Sequence, residues 1–308
     1  VTTYALTRGH GTANDFVLLA DLDGAADLSP EAVALLCDRR RGVGGDGLIR
    51  VVRSAAAGIP EAVDAHTVGA EWFMDYRNAD GSIAEMCGNG VRVFAHHLVE
   101  HGLVDLAAGP LAVGTRAGVK HVTRVPDPTG AQEAWYRVDM GRWEFPRPIT
   151  EGADSLVDTA GIDVPRPAIS VDMGNPHTVV ALAGAEELAA ADLTRLPAVD
   201  PLPVHGTNVE YIVIEPDHDG DPSTGRLAMR VHERGVGETQ SCGTGACAAA
   251  LAARFWAGSN GPTTWTIALP GGTVEVEISE SSVALSGPAV LIGDVVPTAE
   301  FAAALAAR

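Results

Sequence analysis

The sequence predicts an α+β protein of two pseudo-symmetric halves, each with strands wrapped around a central helix. Three observations carry that reading. Two segments look like copies of each other, one predicted helix is apolar on nearly every side, and Gly-punctuated strand regions follow both copies. The first copy reads Met74-Asp-Tyr-Arg-Asn78-Ala-Asp80-Gly81-Ser82-Ile-Ala-Glu-Met-Cys87-Gly88-Asn89-Gly90. The second reads Met229-Arg-Val-His-Glu233-Arg234-Gly-Val-Gly-Glu-Thr-Gln-Ser-Cys242-Gly243-Thr244-Gly245. Thirteen positions separate Met from Cys in both. The copy extends upstream, because Asn14-Asp-Phe-Val-Leu-Leu resembles Asn175-Pro-His177-Thr-Val-Val. Each Asn precedes its Cys by a similar distance, 73 and 67 positions. A single long duplication fits this spacing; a solenoid, with its period of roughly 20–50 residues, does not.

Taken in chain order, Ser29-Pro30 is a helix-start signal and predicts a helix over Glu31–Arg40. Leu48–Arg53 reads as a strand. Val91–His101 carries apolar residues at 91, 94, 95 and 98, the spacing of one helix face. Pro and Gly cluster over Gly141–Pro148, a plausible boundary. Val209–Glu215 reads as a strand, and the Asp/Gly/Pro-rich stretch Asp217–Gly225 as a surface loop. Ala246–Trp256 is broken only by Arg254, so protein must surround it. Val274–Ile278 alternates cleanly and should be half-buried. The strand regions after each Cys are Leu111–Val119 and Trp265–Val276.

Composition narrows the function. With 308 residues, 46% of them hydrophobic and 20% charged, the chain reads as globular, with two domains the default. A net charge of −19 argues against nucleic acid or an anionic membrane as a partner. No charge-free apolar run is long enough to span a bilayer, and Val1–Asp15 lacks the pattern of a signal peptide. Four cysteines in so long a chain do not make a disulfide scaffold, so a reducing cytoplasm is expected.

Several motifs carry nothing. Gly42-Val-Gly44-Gly-Asp-Gly47 fits G-x-G-x-x-G, but helix precedes and strand follows, the reverse of a dinucleotide site. Asp217-His-Asp219-Gly-Asp221 fails as a calcium loop, with Pro222 and Ala228 where Gly and Glu are required. His96, His97 and His232 lack partners at zinc-ligand spacing. The adjacent His96-His97 pair is expected to be partly exposed. No metal site is expected. Cys37 and Cys247 lie in apolar helices and read as inert buried thiols. Cys87 and Cys242 differ, because each stands where helix-start N–H groups are unpaired. The helix dipole there is expected to pull a thiol pKa down. The same N–H groups can hold a carboxylate, and the flanking glycines allow close approach.

These residues resemble the diaminopimelate epimerase family. Its signature appears as Asn78-Ala-Asp80-Gly81-Ser82, four residues, then Cys87-Gly88-Asn89-Gly90-Val-Arg92. The second site matches in Glu233-Arg234-Gly235 and Cys242-Gly243-Thr244-Gly245. Further blocks occur in order: Gly11-Thr-Ala-Asn14-Asp15-Phe16, Met173-Gly174-Asn175-Pro176-His177 and Thr207-Asn208-Val209-Glu210. The resemblance spans nearly the whole chain. It implies that each half is a strongly curved, mostly antiparallel sheet or barrel around its helix, with the active site in the cleft between them. The halves are expected at 1–140, joined by the C-terminal segment 291–308, and at 141–290. It further implies Cys87 and Cys242 as acid/base residues and Gly88, Asn89, Gly243 and Thr244 as holders of the reacting carboxylate. Asn14, Asn78, Asn175, Asn208, Glu233 and Arg234 would contact the rest of the substrate, with His177 in a supporting place. One departure stands out. Many family members carry Gln after the Asp of Gly44-Gly-Asp46; this chain has Gly47, so that contact is missing or replaced. A homodimer is the assembly the family suggests.

The residues point independently to the chemistry. An α-proton of an amino acid is very weakly acidic, and many enzymes acidify it with pyridoxal phosphate held on a lysine. Lys120, the only lysine, lies in no matched motif. A cofactor-free route is therefore expected, with one thiolate removing the proton and the opposite thiol returning one to the other face. The resemblance adds the substrate, LL-diaminopimelate converted to the meso isomer on the way to lysine. Two alternatives are weighed. Proline or hydroxyproline racemases also use paired cysteines, but usually show Cys-Gly-His at the first site and lack His232-Glu233-Arg234-Gly235. A non-catalytic small-molecule binder of the same fold is the other.

Overall fold

In a computed structural model, residues 5–216 and 221–308 are described. Residues 217–220 of the expected surface loop fall outside that range; Asp221–Ser223 are exposed, and strand structure begins at Thr224, earlier than expected. The chain divides into two compact units. One comprises residues through Val138 together with Gly287–Arg308, the other Asp139–Ser286.

The first unit is built from strands β1 (Ala5–Gly11), β2 (Asn14–Ala20), β3 (Gly47–Arg53), β4 (Trp72–Asn78), β5 (Leu111–Thr115), β6 (Gly118–Val125) and β7 (Ala134–Gly141). Its helices are α1 (Pro30–Cys37), α2 (Pro60–Thr67) and α3 (Gly88–Glu100). The second contains β8 (Ser155–Asp158), β9 (Arg166–Asp172), β10 (Pro176–Ala181), β11 (Ala198–Asp200), β12 (Asn208–Ile214), β13 (Thr224–Glu233), β14 (Gly237–Thr239), β15 (Thr264–Leu269) and β16 (Gly272–Ile278). Helices α4 (Ala185–Ala190) and α5 (Gly243–Ala257) accompany them. Strand β17 (Val283–Val295) carries the chain back to the first unit, where α6 (Ala299–Ala306) ends it.

The duplication read in the sequence is a duplication of topology. In the first unit β1–β2 pair antiparallel, β2–β3 parallel, β3–β4 antiparallel, β4–β5 parallel and β5–β6 antiparallel. In the second, β9–β10, β10–β12, β12–β13, β13–β15 and β15–β16 repeat the same sequence of directions. Register agrees as well, since Phe16 faces Gly47 and His177 faces Asn208. Strand β17 pairs with both β1 and β7, so the first unit's strands close in a barrel-like ring.

Each unit holds one helix against many strands. Helix α3 packs on β1, β2, β3, β4 and β6, and is buried from Gly88 through Leu98. Burying Val91, Val93, Phe94 and Leu98 contributes about 1.5–3 kcal/mol each. Helix α5 packs on β9, β10, β12, β13 and β16, and is buried from Ala246 through Ala253. Its run of alanines lets the strand walls come close on all sides. Strand β16 buries alternate residues, as its sequence predicts. The partial exposure expected of the His pair is wrong. His96 and His97 are 9% and 2% exposed, because a ring of strands leaves the helix no solvent face; His96 Nδ1 lies 3.0 Å from the Tyr136 hydroxyl.

Helix α1 also ends earlier than expected, at Cys37. Ser29 caps its start, its Oγ accepting from the Ala32 N–H. At the other end Asp38 is extended and its carboxylate accepts from the N–H groups of Arg40 and Arg41, a local turn that competes with the helix. Cys37 is buried as expected, and burial pushes its thiol up to about 12. The turn after α1 depends on Gly42. A Cβ there would stand 1.9 Å from the Leu35 carbonyl oxygen and 2.8 Å from that of Leu36. Gly42→Ala should therefore lower stability by about 2–3 kcal/mol, as overpacking against backbone does. Urea unfolding measures it; a midpoint equal to the parent's would mean that the turn opens freely.

Candidate active site

Both cysteines singled out by the sequence are N-caps. Cys87 precedes α3 in extended geometry and its Sγ accepts from the Gly90 N–H at 3.5 Å. Cys242 precedes α5 in the same geometry and accepts from the Gly245 N–H at 3.4 Å. Ser, Thr, Asp or Asn is the usual choice at this position, and sulfur is a weaker acceptor. Such a cap leaves a helix start receptive to a better acceptor, such as a carboxylate.

In the first unit a hairpin delivers Asn14 to Cys87. Gly11 pairs with Asn14 across a two-residue turn, in which Thr12 and Ala13 both have positive φ, 51° and 59°. Such a turn matches the twist of the strands but prefers Gly or Asn. Thr12 is held by Arg92, a fully buried arginine of α3, whose Nη2 donates to Thr12 Oγ1 at 3.1 Å. Asn14 Oδ1 accepts from Cys87 Sγ at 3.6 Å and from Asn89 Nδ2 at 3.2 Å. Asn14 Nδ2 donates to Asp46 Oδ2 at 2.8 Å. Asn78 ends β4, exposed, with its Nδ2 donating to Ser82 Oγ at 3.0 Å. The turn after it needs Gly81, at φ +86°, where a Cβ would lie 2.4 Å from the Pro30 carbonyl oxygen.

The second unit repeats the plan with different side chains. Asn175, just before β10, donates through Nδ2 to Thr244 Oγ1 at 3.4 Å, and Thr244 Oγ1 lies 3.6 Å from Cys242 Sγ. His177 Nε2 lies 3.1 Å from Asn175 Oδ1. Its Nδ1 lies 2.7 Å from Glu210 Oε1, both residues being fully buried. Asn208 begins β12; its Oδ1 accepts the Arg234 backbone N–H at 2.9 Å and its Nδ2 donates to the Pro176 carbonyl at 3.2 Å. Glu233 ends β13 and accepts from the Thr239 hydroxyl. Arg234 is exposed, with Nη1 donating to the His205 carbonyl at 2.7 Å.

The structure thus gathers Asn14, Cys87 and Asn89 at one helix start. It gathers Asn175, His177, Cys242 and Thr244 at the other. Asp46, Arg92, Glu210 and Thr239 are partners that the sequence reading left out. All four lay within the quoted segments, and for Asp46 and Glu210 the acceptor-only carboxylates beside Asn and His were the signal.

Gly47 has a physical explanation. It pairs with Asn78, so Tyr76, two residues earlier on β4, is its diagonal neighbour on the same face. A Cβ on residue 47 would lie 2.6 Å from the Tyr76 ring and 2.6 Å from the Arg77 carbonyl oxygen. The tyrosine occupies the space that a glutamine stem would need.

The electrostatics of Cys242 correct one expectation. A lowered thiol was expected at a helix start; instead burial pushes the Cys242 thiol well above its usual value, and the carboxylates of Glu233 and Glu210 push it further. The Thr244 hydroxyl and the Gly245 N–H pull the other way without prevailing. Among the described residues, no cluster of His, Cys, Asp and Glu suits a metal ion. Nor is any helix there long and apolar enough to cross a membrane.

The sequence model of the family described as diaminopimelate epimerase matches residues 6–145 and 169–292. A diaminopimelate epimerase of Streptomyces coelicolor is 46% identical over 303 residues, covering 95% of this chain and 95% of that protein. One of Mycolicibacterium smegmatis is 46% identical, covering 92% of this chain and 94% of its own. Among solved structures, a PhzF-family phenazine biosynthesis protein of Bacillus anthracis superposes with a TM-score of 0.66 at 14% identity, covering 97% of this chain and 100% of that one. A hydroxyproline epimerase of Agrobacterium vitis gives 0.61 at 13% identity, covering 95% and 92%. At those identities the likeness concerns the fold.

The thiolate is the form that alkylates, so a raised thiol shifts alkylation to higher pH. Cys242 in the substrate-free protein should resist iodoacetamide at pH 7 and become reactive only at a higher pH than an ordinary exposed thiol. Glu233→Gln should move that rise to lower pH, as read by peptide mapping; an unmoved rise would remove Glu233 as a cause. For the 47/76 pair, Gly47→Gln alone should cost about 1–3 kcal/mol. In a Tyr76→Ala background the same change should cost much less, and purely additive losses would show that the two positions do not compete.

Proposed function

The chain belongs to the diaminopimelate epimerase family, and we propose that it converts LL-diaminopimelate to the meso isomer without cofactor, in lysine biosynthesis. The observation that carries the reading is the pair of cysteines capping two repeat-related helices, each with an asparagine of its own unit beside it. Inversion at carbon needs a proton removed from one face and one supplied to the other. Cys87 and Cys242 supply one group each. The raised Cys242 thiol makes it a proton donor in the resting enzyme. An ammonium bound beside Glu233 would offset a carboxylate that adds to the effect of burial on the thiol, and so ease its turn as base. The helix-start amides at Gly88, Asn89, Gly243 and Thr244 hold the reacting carboxylate and steady the charge that builds on it as the α-proton leaves.

The far end of the substrate bears a second carboxylate and a second ammonium. Arg234 fits the carboxylate, because a guanidinium can donate two parallel hydrogen bonds. Asn14, Asn78, Asn175 and Asn208 offer donors and acceptors without net charge. His177, anchored on Glu210, sets Asn175 in place. The proposal includes a cytoplasmic setting and a homodimer, with no nucleic-acid or membrane partner.

The test is incubation of purified protein with LL-diaminopimelate in deuterated water, with no added cofactor, read by chiral chromatography and mass. The meso isomer should appear with one deuterium at the inverted carbon. Cys87→Ala and Cys242→Ala should each reduce turnover by at least about 10³-fold, the scale of a lost acid/base group. Racemisation of proline in place of diaminopimelate would favour the racemase alternative, and binding without exchange would make the protein a binder.

A further inference from the structure

We propose that Asp46, held by Arg39, is a positioning residue for the reaction: it locks the Asn14 amide with its oxygen, not its nitrogen, against the Cys87 thiol. The proposal rests on the reading of Cys87 as an acid/base group. The two ends of an asparagine amide have nearly the same shape but opposite hydrogen-bonding sense. Turned one way, Asn14 offers the sulfur an acceptor, which holds the proton on it. Turned the other way, it offers an N–H, which favours the thiolate.

A carboxylate only accepts. The 2.8 Å contact between Asn14 Nδ2 and Asp46 Oδ2 therefore decides the orientation, and leaves Oδ1 for Cys87 Sγ at 3.6 Å and Asn89 Nδ2 at 3.2 Å. Asp46 is fixed from several sides. Its Oδ2 also accepts the Asp15 backbone N–H at 3.2 Å, and its own N–H donates to the Asp15 carbonyl at 2.8 Å. Arg39 Nη2 donates to Asp46 Oδ1 at 2.7 Å. Arg39 is gripped in turn by both oxygens of Asp15, each at 2.8 Å, and Arg8 holds Asp15 from the other side.

Arg39, Asp15 and Arg8 thus stand in line behind the one carboxylate that meets the Asn14 side chain. The Arg39 and Asp46 side chains are 53% and 44% exposed. Asp15 is nearly buried, at 11%, but an ion pair as open to solvent as Arg39–Asp46 adds little stability, so stability does not explain that pair. Holding the amide does. The neighbouring Gly44, at φ +87°, brings the loop close enough that a Cβ there would stand 3.0 Å from the Arg39 Cα.

The test compares Asp46→Asn, which keeps the shape but can donate as well as accept, with Asp46→Glu, which remains an acceptor only. Iodoacetamide alkylation of Cys87, followed by peptide mapping across pH with Cys242 as internal reference, needs no substrate. Asp46→Asn should speed Cys87 alkylation at pH 7 several-fold, with the Cys242 profile and the Tm unchanged. Its kcat should fall about tenfold or more while KM changes little. Asp46→Glu should restore part of both, and Arg39→Gln should move both in the same direction by less. An unchanged Cys87 profile in Asp46→Asn, equal acceleration at both cysteines, or an altered profile with normal kcat would overturn the proposal. If the parent protein fails to epimerise diaminopimelate while the alkylation shift persists, the functional reading fails and the amide lock stands.

Discussion

A helix buried inside a ring of strands has a start that its own backbone cannot serve. Its first N–H groups must be met by side chains, water or a ligand, because leaving them unmet inside protein is costly. Both units face that constraint, at Gly88 and at Gly243, and both meet it with a cysteine sulfur. The choice is costly for stability, since an oxygen would cap better. It also places a thiol beside a helix start that can receive an anion. Everything else in the two sites follows: glycines that let a ligand reach the amides, and asparagines at the neighbouring strand starts that touch the sulfur or its neighbour.

The two halves keep one backbone plan and diverge in side chains. Asn14 meets the sulfur directly, whereas Asn175 meets Thr244, which in turn meets Cys242. Carboxylates enter differently as well. Asp46 and Asp15 are tied to Arg39 and Arg8 in the first unit. In the second, Glu233 and Glu210 add to the burial that raises the Cys242 thiol. Burial, with Glu233 and Glu210 adding to it, keeps the Cys242 thiol protonated, whereas the Cys87 thiol faces the Asn14 amide oxygen. Register also identifies Gly47 with Asn208 of the other half, since both face the strand two residues after a paired Asn. The first unit gave up that side chain, and the Tyr76 ring fills the room.

The duplication, the central helices and the two cysteines at helix starts were legible in the sequence because each rests on local chemistry. Cys-Gly-polar-Gly before an apolar run shows a helix start, and matched spacing shows the repeat. What stayed hidden depends on contacts far apart in the chain. The burial of His96 and His97 needs strands on every side of α3, including residues nearly 200 positions away around Pro288. The end of α1 at Cys37 depends on a turn centred on Asp38, which competes with helix through its side chain. The raised Cys242 thiol could not be read from helix position alone, because desolvation in the folded unit, with Glu233 and Glu210, outweighs the hydrogen bonds from the Thr244 hydroxyl and the Gly245 N–H. Asp46 and Glu210 were visible as letters, but their roles require knowing that Asn14 and His177 arrive beside them from other strands.

The hairpin that presents Asn14 shows how the first site is held against its own backbone. Thr12 is β-branched, and positive φ is uncommon for such a residue. A glycine there would relax the turn and also free it. Arg92 supplies the counterweight: fully buried on α3, it donates to Thr12 Oγ1 through Nη2 and to the Pro288 carbonyl through Nε. Gly11 leaves room for that guanidinium, since a Cβ there would lie 3.1 Å from Arg92 Nη2 and 3.1 Å from the Asn89 carbonyl oxygen. The hydroxyl that makes Thr12 awkward in the turn is the group that ties the turn to the helix carrying Cys87. Strain in the backbone and a buried arginine therefore serve one end, a fixed distance between an asparagine on a hairpin and a thiol on a helix. A helix cap and a strand turn are each adjustable alone; joined through Arg92, they move together or not at all.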